Sequence, residues 1–202
     1  MTDFALTRRR LLQIGALAPL AACVGGNDAP RKFSLRPLPF QESSGPSWSL
    51  GIDVPQALKG LDSERIAIKA GPFELKYYAD ADWIDLAPEM IQMVLVRSFQ
   101  NRTRLEAGPR ALGGAQPDFL LTSFLQDFQA EAGGGAEVSL VASLSPANRR
   151  KAAHTRTFQA ESRAADDHID SVVRAFEEAL HHATTDLIAW TLATAEQEKR
   201  EG

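Results

Sequence analysis

Alternating apolar and polar positions in the first half of the chain predict a β-hairpin. The segment 65–69 places two isoleucines on one face, and after a turn at Gly71-Pro72 a second strand runs from Phe73 to Tyr78. The next residues, 80–85, include three aspartates, and we interpret them as a loop that carries Trp83. The pattern therefore predicts two paired strands followed by a polar connection.

A set of three strands is predicted in the second half of the chain. The first runs from Asp118 to Ala132, a turn follows at Gly133-Gly134-Gly135, and a third strand runs from His154 to Arg163 after the returning strand. The first strand is apolar on both sides, which favours a central position in the sheet or a contact between subunits. One of its faces carries Phe119, Leu121 and Leu125, and the other carries Leu120, Phe124 and Phe128.

Apolar residues that recur every three or four positions predict two amphipathic helices. The first runs from about Leu86 to Asn101, with Asp85 as its candidate N-cap. The second begins after a cap formed by Asp166 or Asp167 and extends to about Gln197. Because protein interiors are close-packed, we expect both apolar stripes to fill a core rather than to line a lipid cavity.

The order of these elements predicts a single domain of the α+β class. Two or three strands are followed by a helix, three more strands and a second helix. We expect residues 33–202 to form a mostly antiparallel sheet with both long helices packed on one face.

The N-terminus has the three parts of a bacterial export signal. Arginines at positions 8–10 precede an apolar stretch over 11–20 that would rise only about 15 Å as a helix, too short to cross a bilayer. The residues Leu20-Ala21-Ala22-Cys23 then resemble a lipobox. We predict a signal peptide over 1–22, lipidation of Cys23 with several acyl chains such as palmitate, and a tether over 23–32. Sec and twin-arginine export both fit the basic start.

Composition narrows the range of functions. Removal of residues 1–22 takes away three arginines and one aspartate, so the net charge changes from −4 to −6, which disfavours nucleic-acid binding. Cys23 is the only cysteine, which excludes disulfides and thiol chemistry from the folded part. The sequence lacks recognisable nucleophile, phosphate-loop and metal motifs. We therefore expect no catalytic residue, no metal site and no cofactor.

Apolar side chains on the second face of the long strand are the best candidates for a contact surface. Leu120, Phe124 and Phe128 form this group, and Trp83 is a further candidate. The alternative for the group is a second core layer, and the alternative for Trp83 is a core position. The sequence leaves both alternatives open.

Taken together and in order, these features resemble the ABC-type transport auxiliary lipoprotein family, the lipoprotein subunits found with MCE-type lipid transporters. The resemblance covers nearly the whole mature chain. It rests on the lipobox at Cys23, on the stretches 33–37 (FSLRP), 50–55 (LGIDVP), 65–68 (RIAI) and 75–79 (LKYYA), and on Trp83 before the first helix. Since the family is recognised by the set of stretches, no individual binding residue is transferred.

The resemblance implies a non-enzymatic subunit of an ABC system that moves phospholipid. The ATPase and permease would act at the inner membrane, and the MCE-type protein would form a conduit across the periplasm. The lipoprotein would dock or stabilise this conduit, and a homo-oligomer would suit docking to a ring. Val24, in place of an aspartate after Cys23, favours the periplasmic face of the outer membrane, held through the lipid anchor.

Two other functions share some of these features. An accessory lipoprotein for cell-wall or lipopolysaccharide machinery would have the same anchor and fold, and neighbouring genes would distinguish it. An envelope hydrolase would need a nucleophile or metal cluster that the sequence does not display.

Overall fold

The computed structural model describes residues 29–43, 45–110, 116–147 and 153–201. The predicted signal peptide, Cys23 and most of the predicted tether lie outside these ranges. Within them the chain forms nine strands and two helices. In chain order these are β1 (Arg31–Phe33), β2 (Ser49–Ile52), β3 (Gln56–Ala57), β4 (Arg65–Gly71), β5 (Glu74–Trp83), α1 (Ala87–Thr103), β6 (Glu106–Pro109), β7 (Phe119–Glu131), β8 (Gly135–Pro146), β9 (His154–Arg163) and α2 (Ile169–Glu201).

The described strands form one sheet around β7. On one edge, β7, β8 and β9 form the predicted antiparallel meander. On its other edge, β7 pairs in parallel with β2 near its start, with β3 near its middle and with β4 at its end. β6 extends the sheet beyond β2, while β5 and then β1 extend it beyond β4. The α+β class is confirmed, but the sheet is mixed rather than purely antiparallel, because α1 provides a crossover that returns the chain to the start of β7.

Both helices pack against the sheet and contact each other. α1 contacts β2 and β6, whereas α2 contacts β7, β8 and β9. With 33 residues, α2 is about 50 Å long and follows the full length of the meander. Its first turn binds Arg31 through Asp170, with N–O distances of 2.9 and 3.0 Å. Its last turns reach Trp48, whose indole N–H donates to Glu196 at 3.3 Å.

The predicted apolar stripes of both helices form the core. On α1, Ile91, Leu95 and Phe99 have no exposed surface, and on α2 the same holds for Phe176 and Leu187. The α2 residues pack against the alternating residues of β8, such as Val138, Leu140 and Ala142, which are also fully buried. The helical and strand periodicities read from the sequence therefore meet in one interior.

The helix ends differ from the prediction. The N-cap of α1 is Leu86, which makes no side-chain cap bond, so the assignment of Asp85 as N-cap was wrong. The Asp85 carboxylate instead accepts the N–H of Leu86 at 2.8 Å. Before α2, the Asp166 carboxylate accepts the N–H of His168 at 3.1 Å, and the helix continues to Glu201.

The interpretation of residues 80–85 as a loop was also wrong, because β5 continues through Trp83. The main-chain N–H of Trp83 donates to the carbonyl of Glu64 at 2.6 Å, and β1 pairs with the same part of β5. Asp82 is tolerated in the strand because its carboxylate faces the Lys32 ammonium at 3.4 Å. Tertiary pairing thus overrides the turn propensity of the aspartates.

Candidate functional site

A β-bulge in β7 decides which side chains reach each face of the sheet. Leu125 pairs with Leu140 and Asp127 pairs with Ser139, so Gln126 is an extra residue without a partner in β8. The alternation of side chains restarts after it. Phe128 therefore lies on the same face as Leu125, and the prediction that it shares a face with Phe124 was wrong.

Two of the four predicted contact residues are core residues. Trp83 and Phe128 are each 1% exposed. Their rings meet at a centroid distance of 5.3 Å, and both contact Phe176 of α2, at 5.2 Å for Trp83 and 4.9 Å for Phe128. For these two residues the alternative of a core position is the correct one, and neither can contact a partner.

The other two predicted residues, Leu120 and Phe124, are half-buried on the side of β7 that faces away from the helices. Because neither described helix packs on it, we call this side of the meander the uncovered face. It is formed by Leu120, Thr122, Phe124, Val141, Ser143, Thr155 and Thr157. Phe124 is paired directly with Val141, and Val141 with Thr157. The face thus has an apolar centre on two strands and a rim of hydroxyl groups.

The hydroxyl rim is ordered by its own hydrogen bonds. Ser143 Oγ and Thr155 Oγ1 lie 2.7 Å apart on neighbouring strands. Thr122 is paired with Ser143 on the other side, so three hydroxyl residues cross the sheet in one row. Apolar side chains bordered by short neutral hydroxyls can be covered by a partner without the desolvation cost of a buried charge.

A cavity of about 480 Å³ opens beside Phe124. It lies where β2 ends and β3 begins, and its lining includes Val54 and Gln56 together with Phe124. The backbone at this gap is fixed by the Asp53 N–H, which donates to the Leu121 carbonyl at 3.0 Å. Val54 is 41% exposed and extends the apolar centre of the uncovered face towards β3.

A polar cluster occupies the same face beyond the bulge. The Glu137 carboxylate accepts hydrogen bonds from Lys69 at 3.2 Å, Gln159 at 3.0 Å and Gln129 at 3.4 Å. This pairing raises the pKa of Lys69. Burial, reinforced by the negative charge of Glu137, raises the pKa of Asp127 above its ordinary value. The cluster was missed from sequence, although a turn at Gly133 and Gly134 already places Gln129 opposite Glu137.

Two of the four histidines have structural contacts through their rings. His154 Nε2 lies 2.9 Å from Glu198, and His181 Nε2 lies 2.9 Å from the Arg36 carbonyl. Over the described ranges, no three His, Cys, Asp or Glu side chains form a group that could hold a metal ion. Neither described helix is long and apolar enough to cross a bilayer.

One protein-family model matches residues 33–188 of the chain, from the end of β1 into α2. The family is described as the ABC-type transport auxiliary lipoprotein component. The match spans the uncovered face, the aromatic core and most of both helices.

Solved structures share the fold. The crystal structure of protein XCC0632 from Xanthomonas campestris superposes with a TM-score of 0.72 at 28% identity, covering 85% of this chain and 99% of that one. The crystal structure of an uncharacterized protein superposes with a TM-score of 0.64 at 13% identity, covering 80% and 98% of the two chains, and shows the fold alone.

An uncharacterized protein of Bradyrhizobium diazoefficiens is 27% identical over 184 residues. The alignment covers 88% of this chain and 50% of the relative. The chain therefore spans about half the length of the curated relative that it matches.

Proposed function

Because the chain belongs to the family of ABC-type transport auxiliary lipoprotein components, we propose that it is the non-enzymatic lipoprotein subunit of an MCE-type transporter that moves phospholipid. In this proposal, Cys23 carries the lipid anchor and holds the domain at the periplasmic face of the outer membrane. The domain docks or stabilises the periplasmic conduit formed by the MCE-type protein. The inner-membrane permease and ATPase supply the energy.

The uncovered face is the observation that carries the docking part of the proposal. Phe124 and Val141 form its apolar centre on adjacent strands, while both helices pack on the opposite side of the sheet. A sheet face that presents apolar residues to solvent gains free energy when a partner covers it. We therefore assign this face to the conduit.

The dimensions of the face favour several copies around one conduit. The residues of the face span about five positions along β7, from Leu120 to Phe124, or about 17 Å, and three strands are about 14 Å wide, which gives on the order of 240 Å². A standard protein interface buries about 800 Å² on each partner. One face alone is therefore a weak contact, and a homo-oligomer would add contacts through avidity.

The polar cluster supports a binding role over a catalytic one. The Glu137 carboxylate is engaged by three donors, including the Lys69 ammonium at 3.2 Å. A general base needs a carboxylate that is available to a substrate proton. The pairing of Glu137 instead fixes the register of β7, β8 and β9 next to the apolar centre.

The test is complementation of a deletion strain. We expect deletion to disturb envelope lipid balance and to lower detergent resistance, and the wild-type gene to restore both. Phe124→Asp should fail to restore them, because a charge at the centre of an interface weakens association by about 30-fold or more. Met93→Asp is the matched control, since Met93 is 40% exposed on α1, on the helix side of the sheet.

The two parts of the proposal fail separately. An unchanged envelope after deletion would contradict the transport role itself. A normal deletion phenotype that Phe124→Asp fully complements would leave the transport role intact and would contradict the assignment of the uncovered face. Thermal unfolding of each variant checks that the fold is retained.

A further inference from the structure

One end of the molecule collects the turns and termini that lie close to the predicted anchor. β4 runs beside the end of β7, with Lys69 opposite Glu131, so the β4–β5 turn lies next to the β7–β8 turn. The first turn of α2 lies at the same end, where Asp170 binds Arg31. β1 is parallel to β5, so the chain that precedes Arg31 approaches the fold from the side of the sheet that carries both hairpin turns.

Phe73 protrudes from this end. It lies in the β4–β5 turn, between Pro72 and the start of β5, and its side chain is 100% exposed. The nearest charges on β5 neutralise each other, because the Lys76 ammonium lies 3.2 Å from the Glu74 carboxylate. A fully exposed phenylalanine on an uncharged turn gains nothing from the folded domain and is available to an external apolar phase.

The length of the chain between Cys23 and β1 limits how far the membrane can lie from the domain. β1 is parallel to β5, with Arg31 opposite Ala81, so the N-terminal end of β1 faces the start of β5. Phe73 precedes Ala81 by eight residues, or about 26 Å along the strand direction. Cys23 also precedes Arg31 by eight residues, which span at most about 26–29 Å when fully extended.

The two lengths match, so the tether is long enough for the turn to meet the membrane when β5 is aligned with the membrane normal. We propose that the β4–β5 turn is a second membrane contact, in which Phe73 inserts into the interfacial region of the leaflet that holds the lipid on Cys23. The inference rests on the lipid anchor of the proposed function, and it defines how the anchored domain is oriented relative to the membrane. With both contacts made, α2 stands upright and its C-terminal end lies about 50 Å from the bilayer.

Phe40 supplies a matched control at the far end. It is 67% exposed and precedes Gln41, whose N–H donates to Asn101 in the last turn of α1 at 2.9 Å. α1 leads from there into β6, which pairs with β2 beside the start of β7, the end opposite to Phe73. The two exposed phenylalanines therefore differ in their predicted distance from the membrane and not in residue type.

The test uses the full lipidated protein in vesicles of phosphatidylethanolamine and phosphatidylglycerol. Phe73→Cys and Phe40→Cys each introduce one thiol, which is labelled with a polarity-sensitive fluorophore. The label reacts only there, because the lipid blocks the thiol of Cys23, the only native cysteine. We expect the label at position 73 to shift to shorter emission wavelength and to be quenched by lipids brominated on their acyl chains. The label at position 40 should do neither.

A second measurement separates insertion from mere proximity. The same fluorophore is attached to Ala132→Cys, an exposed position in the adjacent β7–β8 turn, and is compared with and without Phe73→Ser. Without the phenylalanine, the ratio of molecules whose β4–β5 turn contacts the bilayer to molecules whose turn does not should fall about tenfold. Most of the quenching at position 132 should then be lost. Unchanged quenching at position 132 would overturn the inference.

Two further outcomes are distinguishable. If the protein floats with the vesicles while the label at position 73 behaves like that at position 40, the anchor stands and the second contact is refuted. If the protein does not float with the vesicles at all, the lipidation on which both proposals rest is refuted.

Discussion

Two phenylalanines on one strand provide a sharp test of the bulge in β7. Phe124 and Phe128 are four residues apart, yet Phe128 is 1% exposed in the aromatic core, while Phe124 lies half-buried on the uncovered face. Regular alternation would place both on the same face. The extra residue at Gln126 separates them, so alanine substitutions at the two positions should have very different effects on stability.

The expected magnitudes follow from burial. Phe128→Ala removes a fully buried ring that contacts Trp83 at 5.3 Å and Phe176 at 4.9 Å, and such substitutions cost about 3–5 kcal/mol. Phe124→Ala removes a half-buried ring and should cost about 1 kcal/mol or less. For a chain of this size, the loss at Phe128 lowers Tm by roughly 6–20 °C.

Urea unfolding of the mature protein in detergent, followed by circular dichroism, measures both variants. We expect the free energy of unfolding to fall strongly for Phe128→Ala and little for Phe124→Ala, with similar m-values. Equal losses at the two positions, or a larger loss at Phe124, would refute the bulge and the division of β7 between core and uncovered face.

Three further predictions concern titration and anchoring. Burial and the negative charge of Glu137 raise the pKa of Asp127, so the folded protein binds this proton more tightly than the unfolded chain and loses stability as pH rises above about 4. Asp127→Asn should therefore raise the free energy of unfolding at pH 7 by up to about 1 kcal/mol. Urea titration should show no such effect at a pH below the pKa values of both the folded and the unfolded state. The pKa of Asp118 is lowered by the main-chain N–H and the hydroxyl of Ser49, at 2.8 and 2.9 Å, so its stabilisation is present above about pH 4 and lost as pH falls. Because Asp118 is exposed and screened by solvent, Asp118→Ala should cost only about 0.5 kcal/mol at pH 7, and urea titration should show the difference shrinking in acid. A protein that begins after Cys23 and is exported with a cleavable signal peptide lacking a lipobox should leave the membrane fraction, and its retention there would contradict the predicted anchor.

Much of the fold could be predicted from sequence because its signals are local. The stripe on α2 and the alternation on β8 each depend on residues a few positions apart, and both appear in the core as expected. The turn at Gly133 and Gly134 was equally visible, and both glycines adopt positive φ, 113° and 83°. These features need no knowledge of what the elements pack against.

The remaining features depend on contacts between distant segments. β3 has two residues and β6 has four, too short for a periodic pattern, and each exists because it pairs with β7 or β2. Trp83 follows two aspartates and was assigned to a loop, but Glu64 and β1 hold it in a strand. The parallel pairs that β2, β3 and β4 form with β6 or β7 likewise arise from the crossover through α1.

The faces of β7 were predicted in part. Leu120 and Phe124 lie on the uncovered face as the alternation indicates, but Phe128 does not, since the bulge is an irregularity between strands. The signal was present in the partner strand: counting back from the glycine turn places Phe128 opposite Val138, which belongs to the strictly alternating core face of β8. Pairing both strands through the turn would have found the break.

The most direct test of the central claim is affinity purification of the full lipoprotein from membranes, with the bound proteins identified by mass spectrometry. The account predicts recovery of an MCE-type protein together with its permease and ATPase, and loss of these partners with Phe124→Asp but not with Met93→Asp. Recovery of cell-wall or lipopolysaccharide machinery in their place would contradict the assignment to lipid transport.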